Sequence, residues 1–182
     1  MARSSATGSS AKRRRLILLR HGKSAWPNGV ADQDRPLASR GQKSAPVMGA
    51  YLAREELVPD LVLVSTARRT QETWKLVSTA LPPHVAKRDL TKLYAAAATE
   101  ILKIVHAIEP SAATVMLIGH NPGLQAFALD LCREEDRDAR RRLQEKFPTC
   151  GLAVIDFEAN RWEDITPTSG HLERFVTPRS LV

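Results

Sequence analysis

The sequence predicts a three-layer α/β sandwich with a mostly parallel central sheet, on three observations. Short continuous apolar runs recur at 15–19, 61–64, 114–118 and 152–157; runs of this length, rich in Val, Ile and Leu, suit strands buried on both faces. Segments with helical periodicity separate them, and strands alternating with helices imply parallel pairing with helices on the two faces of the sheet. The 182 residues suit one domain with a single core.

Taken in order, Arg-Leu-Ile-Leu-Leu at 15–19 is the first strand. Ser39 followed by Gln42 carries a capping-box signature, predicting a helix to about Arg54 that must accommodate Pro46. Leu-Val-Leu-Val at 61–64 is the second strand, and a helix over 67–81 is stopped by Pro82 and Pro83. Thr99 is placed to cap a third helix, whose Ile101, Leu102, Val105 and Ile108 share a face before Pro110 ends it. After the strand at 114–118, Asn121 and Pro122 form an N-cap and first-turn pair for a helix through Leu131. The mixed charges of 133–146 suit a loop and a solvated amphipathic helix, and 152–157 is a strand near the end of the sheet.

The composition is that of a soluble globular protein, 43% hydrophobic and 26% charged, and 5% aromatic residues argue against a stacking surface for single-stranded nucleic acid. A net charge of +7 favours anionic partners. The Lys12–Arg15 run follows a polar leader and reads as a solvated tail. Residues 1–13 are therefore expected to form a disordered basic leader to a single domain spanning 14–182. Leu16–Leu19 is too short for a signal-peptide core and is closed by Arg20 and His21; no other segment is long and apolar enough to span a bilayer. Cys132 and Cys150 read as core thiols, and so sparse a set of cysteines fits a reducing cytoplasm.

Ligands of open parallel sheets bind beyond the carboxyl ends of the strands. There the first strand delivers Arg20, His21, Gly22, Lys23 and Ser24, the second Ser65 and then Arg68 and Arg69, and the third Gly119, His120 and Asn121. Arginines in the first turn of a helix oppose its macrodipole, so an anion should compensate them; the bland alternative is an arginine in solvent or paired with Glu72. Gly22 and Gly119 would let backbone approach that anion, and Asn121 would open a helix whose N-terminal amides favour negative charge. A histidine nucleophile must be neutral, and neighbouring arginines lower its pKa. Arg20, Arg69 and a protonated His120 would stabilise the charge spread over a phosphoryl group in transfer. No metal or cofactor is required, and the chain carries neither a two-metal ligand set nor a P-loop.

Leu-Leu-Arg-His-Gly-Lys-Ser at 18–24, Ser-Thr-Ala-Arg-Arg-Thr-Gln-Glu-Thr at 65–73 and Gly-His-Asn-Pro-Gly at 119–123 resemble the histidine phosphatase superfamily, the phosphoglycerate mutase-like group. Asp-Arg-Pro-Leu at 34–37, Arg-Gly at 40–41 and Phe-Val-Thr-Pro-Arg at 175–179 resemble its short SixA-like phosphohistidine phosphatases, and the likeness runs from about Arg14 to the end. It implies a phosphoglycerate mutase-like fold, with His21 as phosphorylated nucleophile and Arg20, Arg69 and His120 completing the catalytic pocket. Gly22, Ser24 and Asn121 are the expected substrate-binding residues.

Larger members of the group carry a proton-donating carboxylate where this chain reads Tyr-Ala-Ala-Ala-Ala at 94–98. Glu100 reads as a first-turn helix residue, and Asp32 and Asp34 stay open as substitutes. An alkoxide leaves poorly without an acid, whereas imidazole leaves readily from phosphohistidine, so a site without the carboxylate suits a phosphohistidine protein. A broad phosphomonoesterase acting on small phosphorylated metabolites is the second reading. A non-catalytic module binding phosphate or nucleic acid is the third, with nucleic acid disfavoured. Trp26 reads equally as a pocket-mouth residue or a loop anchor. His84 and His106 read as surface or helix residues, and His171 as part of a C-terminal turn.

Overall fold

The computed structural model describes residues 12–135 and 137–181, so residues 1–11 of the leader expected over 1–13 lie outside the described residues. In chain order come β1 (Arg13–Arg20), α1 (Ser39–Arg54), β2 (Leu61–Ser65), α2 (Arg68–Val77), β3 (Ala86–Leu90), α3 (Ala98–His106), β4 (Thr114–Gly119), α4 (Gly123–Leu131), α5 (Arg137–Glu145), β5 (Leu152–Glu158) and β6 (His171–Val176). They build a six-stranded sheet in the order β3-β2-β4-β1-β5-β6. β3, β2, β4 and β1 run parallel, while β5 is antiparallel to β1 and β6 to β5.

Side chains alternate across a strand, and both faces of this sheet are apolar. Leu16, Leu18, Leu63, Val115, Leu117 and Ile155 face α3, α4 and α5 through Ile101, Val105, Phe127 and Leu143. Ile17, Leu19, Val64, Met116, Ile118 and Val154 face α1 and α2 through Met48, Leu52, Trp74 and Val77. The continuous apolar runs follow directly from this two-sided burial.

Register then places the site. β1 pairs with β4 so that Arg20 stands level with Gly119, which sets His21 and His120 side by side just beyond. Val64 stands level with Ile118, so Ser65 follows beside Gly119. The chain leaves β1 toward α1 on one face and leaves β4 toward α4 on the other. The carboxyl ends of β1 and β4 therefore form a topological switch point, where a parallel sheet opens a crevice.

Several sequence expectations are corrected. Arg13–Arg15 are not a solvated tail: they are the first three residues of β1. Arg13 and Arg15 both pair with Asp156, and Arg14 is buried with its guanidinium donating to the carbonyls of Pro110, Ala112 and Asn160. Ser39 is the first residue of α1 rather than its cap; Ala38 stands at the cap, with no side-chain hydrogen bond. Ala97 and Pro122 likewise replace Thr99 and Asn121 at the N-caps of α3 and α4. Two strands escape the hydrophobic pattern. β3, Ala-Lys-Arg-Asp-Leu, is an exposed edge held through its backbone, and the charges that hide its period protect that edge. His171 opens β6, which buries Leu172 and Phe175, and is not part of a turn.

Candidate active site

His21, at the end of β1, is buried, and its Nδ1 lies 2.7 Å from the Gly22 carbonyl oxygen. A carbonyl only accepts, so Nδ1 carries the proton and donates it, leaving the Nε2 lone pair free. The His21 and His120 ring centroids are 5.1 Å apart. Burial, followed by the charges of His120, Arg69 and Arg20, pulls the His21 pKa from 6.5 down to about 3. The ring is thus neutral at physiological pH, as a nucleophile must be.

His120 is also buried, and its Nε2 lies 2.8 Å from the Ser65 hydroxyl. The Ala67 amide also donates to that hydroxyl oxygen, whose own proton is available to Nε2. With the Ser65 proton donated to Nε2, His120 Nδ1 carries the ring proton, and Nδ1 is buried without a hydrogen-bond partner in the protein. Burial, then Arg69, lowers the His120 pKa to about 4. The protonated His120 expected from sequence is therefore neutral in the free protein, and it offers a neutral N–H donor until a dianion raises its pKa.

Arg20 donates to the Phe147 carbonyl at 2.7 Å, while its Nε is buried without a protein partner. Arg69, on the first turn of α2, points inward and donates to the backbone oxygen of Asp32 at 2.6 Å and to its carboxylate at 3.0 Å. Arg68, one residue earlier, points outward and pairs with Glu72 at 2.7 Å. Carboxylates thus offset the unfavourable macrodipole at both arginines, and only Arg69 reaches the pocket.

These groups line a cavity of about 240 Å³ together with Lys23, Ser24, Trp26, Arg35, Asn121 and Thr149, with no Asp or Glu among the lining residues. Trp26 is exposed and its ring is stacked by the Arg35 guanidinium, so it fills both roles open to it, pocket mouth and loop anchor. Ser24 lines the cavity while accepting a hydrogen bond from Arg35 at 2.6 Å. Asn121 also lines it, but its amide nitrogen donates to Gln125 and to the Phe147 carbonyl. Gly22 does not line the cavity: its amide donates to Thr73, and a Cβ there would meet Leu37, Gly41 and Cys150 at 3.1 to 3.3 Å. It serves close packing between β1 and the start of α1.

Sequence reasoning missed the clamp around Asp32. This carboxylate accepts from Arg69, from Arg35 at 2.8 Å and from the Tyr94 hydroxyl at 2.7 Å. The three donors, Tyr94 foremost, hold its pKa far below the usual carboxylate range. Asp32 is accordingly an anchor for Arg69 and a poor proton donor. Asp34 is absent from the cavity lining, and Glu100 pairs with Lys103 on α3. Burial lifts the Cys150 thiol to about 12, so it is inert. Among the described residues no group of three or more His, Cys, Asp or Glu side chains is arranged to hold a metal ion, and no helix is long and apolar enough to cross a membrane.

Both depressed histidines make a prediction for stability. Between pH 6.5 and about 4 the unfolded chain binds protons on these rings that the folded chain does not, so stability rises with pH across that window. Tm is expected to fall as the pH is lowered from 7 to 5, and less steeply in a His21→Gln, His120→Gln double variant. Equal slopes for the two proteins would contradict it.

A parallel-sheet crevice holding paired histidines and inward arginines brings together the groups that phosphoryl transfer requires. The model of the histidine phosphatase superfamily (branch 1) matches residues 16–92. The uncharacterized protein Rv1276c of Mycobacterium tuberculosis is 37% identical over 163 residues, covering 88% of this chain and all of its own length. The structure described as the phosphohistidine phosphatase SixA of Nakamurella multipartitia superposes with a TM-score of 0.81 at 29% identity, covering 93% of this chain and 98% of that one. SixA of Agrobacterium tumefaciens gives 0.77 at 30% identity, covering 91% and 98%. The chain belongs to the histidine phosphatase superfamily and, within it, to the SixA-like branch of phosphatases.

Proposed function

We propose that this protein is a metal-independent phosphohistidine protein phosphatase that works through a covalent phosphohistidine on His21. The observation that carries the reading is the neutral His21 ring, its Nδ1–H committed to the Gly22 carbonyl and its Nε2 free, in a pocket of cations that contains no carboxylic acid.

In the first step His21 Nε2 forms a bond to phosphorus as the bond from phosphorus to the leaving imidazole nitrogen breaks. The phosphorylated ring becomes cationic, and the Gly22 carbonyl, accepting from Nδ1–H, stabilises that charge. Arg20, Arg69 and His120 Nδ1–H meet the equatorial oxygens, where negative charge spreads during transfer. Water then attacks phosphorus and the P–Nε2 bond breaks, returning its electron pair to His21 and releasing phosphate and a proton.

Substrate choice follows from the missing acid. An alcohol would depart as an alkoxide here, since no pocket carboxyl can protonate it, whereas the imidazole of a phosphohistidine leaves readily once its other nitrogen takes a proton from solvent. Turnover of a phosphohistidine-carrying protein is expected to exceed that of sugar and nucleotide monophosphates by about 10²-fold or more in kcat/KM, the scale of general acid catalysis. Equal or faster hydrolysis of the monophosphates would favour the phosphomonoesterase reading instead. The SixA neighbours, described as phosphohistidine phosphatases, support the first outcome.

A further inference from the structure

A second cavity adjoins the phosphate pocket. It measures about 610 Å³, well over twice the volume of its neighbour, and the two meet at Thr149, which lines both. Three cations from three separate parts of the chain converge on it: Arg40 from α1, Lys146 from just after α5, and Arg179 from the C-terminal segment. All three are exposed, and no carboxylate lines the cleft. Among the described residues none of the three takes part in an ion pair, although Arg13, Arg15, Arg35, Arg68, Arg69, Arg88 and Arg174 all do. Pro148 and Pro178 stiffen the rim.

Neither the nucleophile nor the arginine pair lies in this cleft, so catalysis at His21 leaves its charge unexplained. Three unpaired cations beside a transfer site attract an anion carried by the same substrate molecule. The size of the cleft and the spread of its charges over flexible, exposed stems suit several carboxylates along a chain. A single second phosphate would be gripped by converging buried donors, which this cleft lacks.

We infer that the cleft lined by Arg40, Lys146 and Arg179 is the docking site for an acidic stretch of the protein substrate next to its phosphorylated residue. This rests on the phosphohistidine reading above, and it narrows the substrate to phosphohistidine proteins with carboxylates flanking the phosphorylated site.

The test uses two synthetic phosphohistidine peptides, one with flanking Glu and Asp and one with Gln and Asn in their places, against the full chain and a Lys146→Gln, Arg179→Gln double variant. Wild type is expected to prefer the acidic peptide by about tenfold in kcat/KM at low salt, through KM, and salt or the double variant should reduce that preference to near unity. Hydrolysis of phosphoramidate, which does not reach the cleft, should be unchanged in the variant. A second measurement is independent of turnover: fluorescence anisotropy of the unphosphorylated acidic peptide, expected to bind wild type more tightly than the variant. If neither peptide is hydrolysed but this binding difference holds, the phosphohistidine reading fails and the cleft stands. Equal affinity in both proteins, or a variant effect seen only with a small bisphosphate, would overturn the docking site.

Discussion

Replacing His21 with alanine is expected to lower kcat/KM by about 10⁴-fold or more on whichever phosphorylated substrate the enzyme turns over, because in the proposed mechanism it deletes the group that forms the covalent intermediate. The remaining pocket keeps Arg20, Arg69 and His120, so inorganic phosphate should still bind. That combination separates a nucleophile from a residue that merely helps to hold an anion. The direct readout is covalent: brief incubation with a ³²P-labelled donor and denaturing quench should leave a base-stable, acid-labile label on wild type and none on the variant. The backbone amide of His21 bonds to the Gly119 carbonyl whatever the side chain, so the strand end should survive, and an unchanged circular dichroism spectrum would establish it. A label that persists in His21→Ala, or activity retained to within tenfold, would remove His21 from the mechanism.

The part of the site closest to the sheet was legible because β1, β2 and β4 each carry an unbroken apolar run and the first polar residues after such a run must stand at the carboxyl end of its strand. His21 stands two residues after Leu19, Ser65 follows Val64 directly, and His120 follows Gly119. That they would meet was not legible from any one run. It depends on β1 pairing with β4 at a register that levels Arg20 with Gly119. The Asp32 clamp lay further out of reach, since it joins residues 32 and 35 of one loop, residue 94 of another and residue 69 on the first turn of α2 through contacts that leave no periodicity. The Asp-Arg-Pro-Leu motif was its one trace, and that motif contains Arg35 but not Asp32. Arg13–Arg15 misled for the opposite reason. Charge alone suggests solvent, yet Asp156 on the neighbouring strand and three backbone carbonyls meet those guanidinium groups at the start of the sheet.

Arg69→Ala is expected to cost about 10²- to 10³-fold in kcat, the usual effect of removing one fixed donor to a transition state in a site shielded from water. Arg69 is buried, and its two hydrogen bonds to Asp32 hold the guanidinium in place before substrate arrives, so little reorganisation is needed when charge shifts onto the phosphoryl oxygens. Arg69→Lys keeps the charge but has no planar fork to span Asp32 and the phosphate together, and it should recover only part of the loss. Asp32→Asn provides the control for positioning. It keeps the backbone oxygen that accepts one of the two bonds, leaves Arg69 charged and should reduce kcat by roughly tenfold with a smaller change in KM. If Arg69→Ala raised KM alone and left kcat intact, Arg69 would bind ground state and transition state equally, and the assignment of its guanidinium to the transferring phosphoryl group would be wrong.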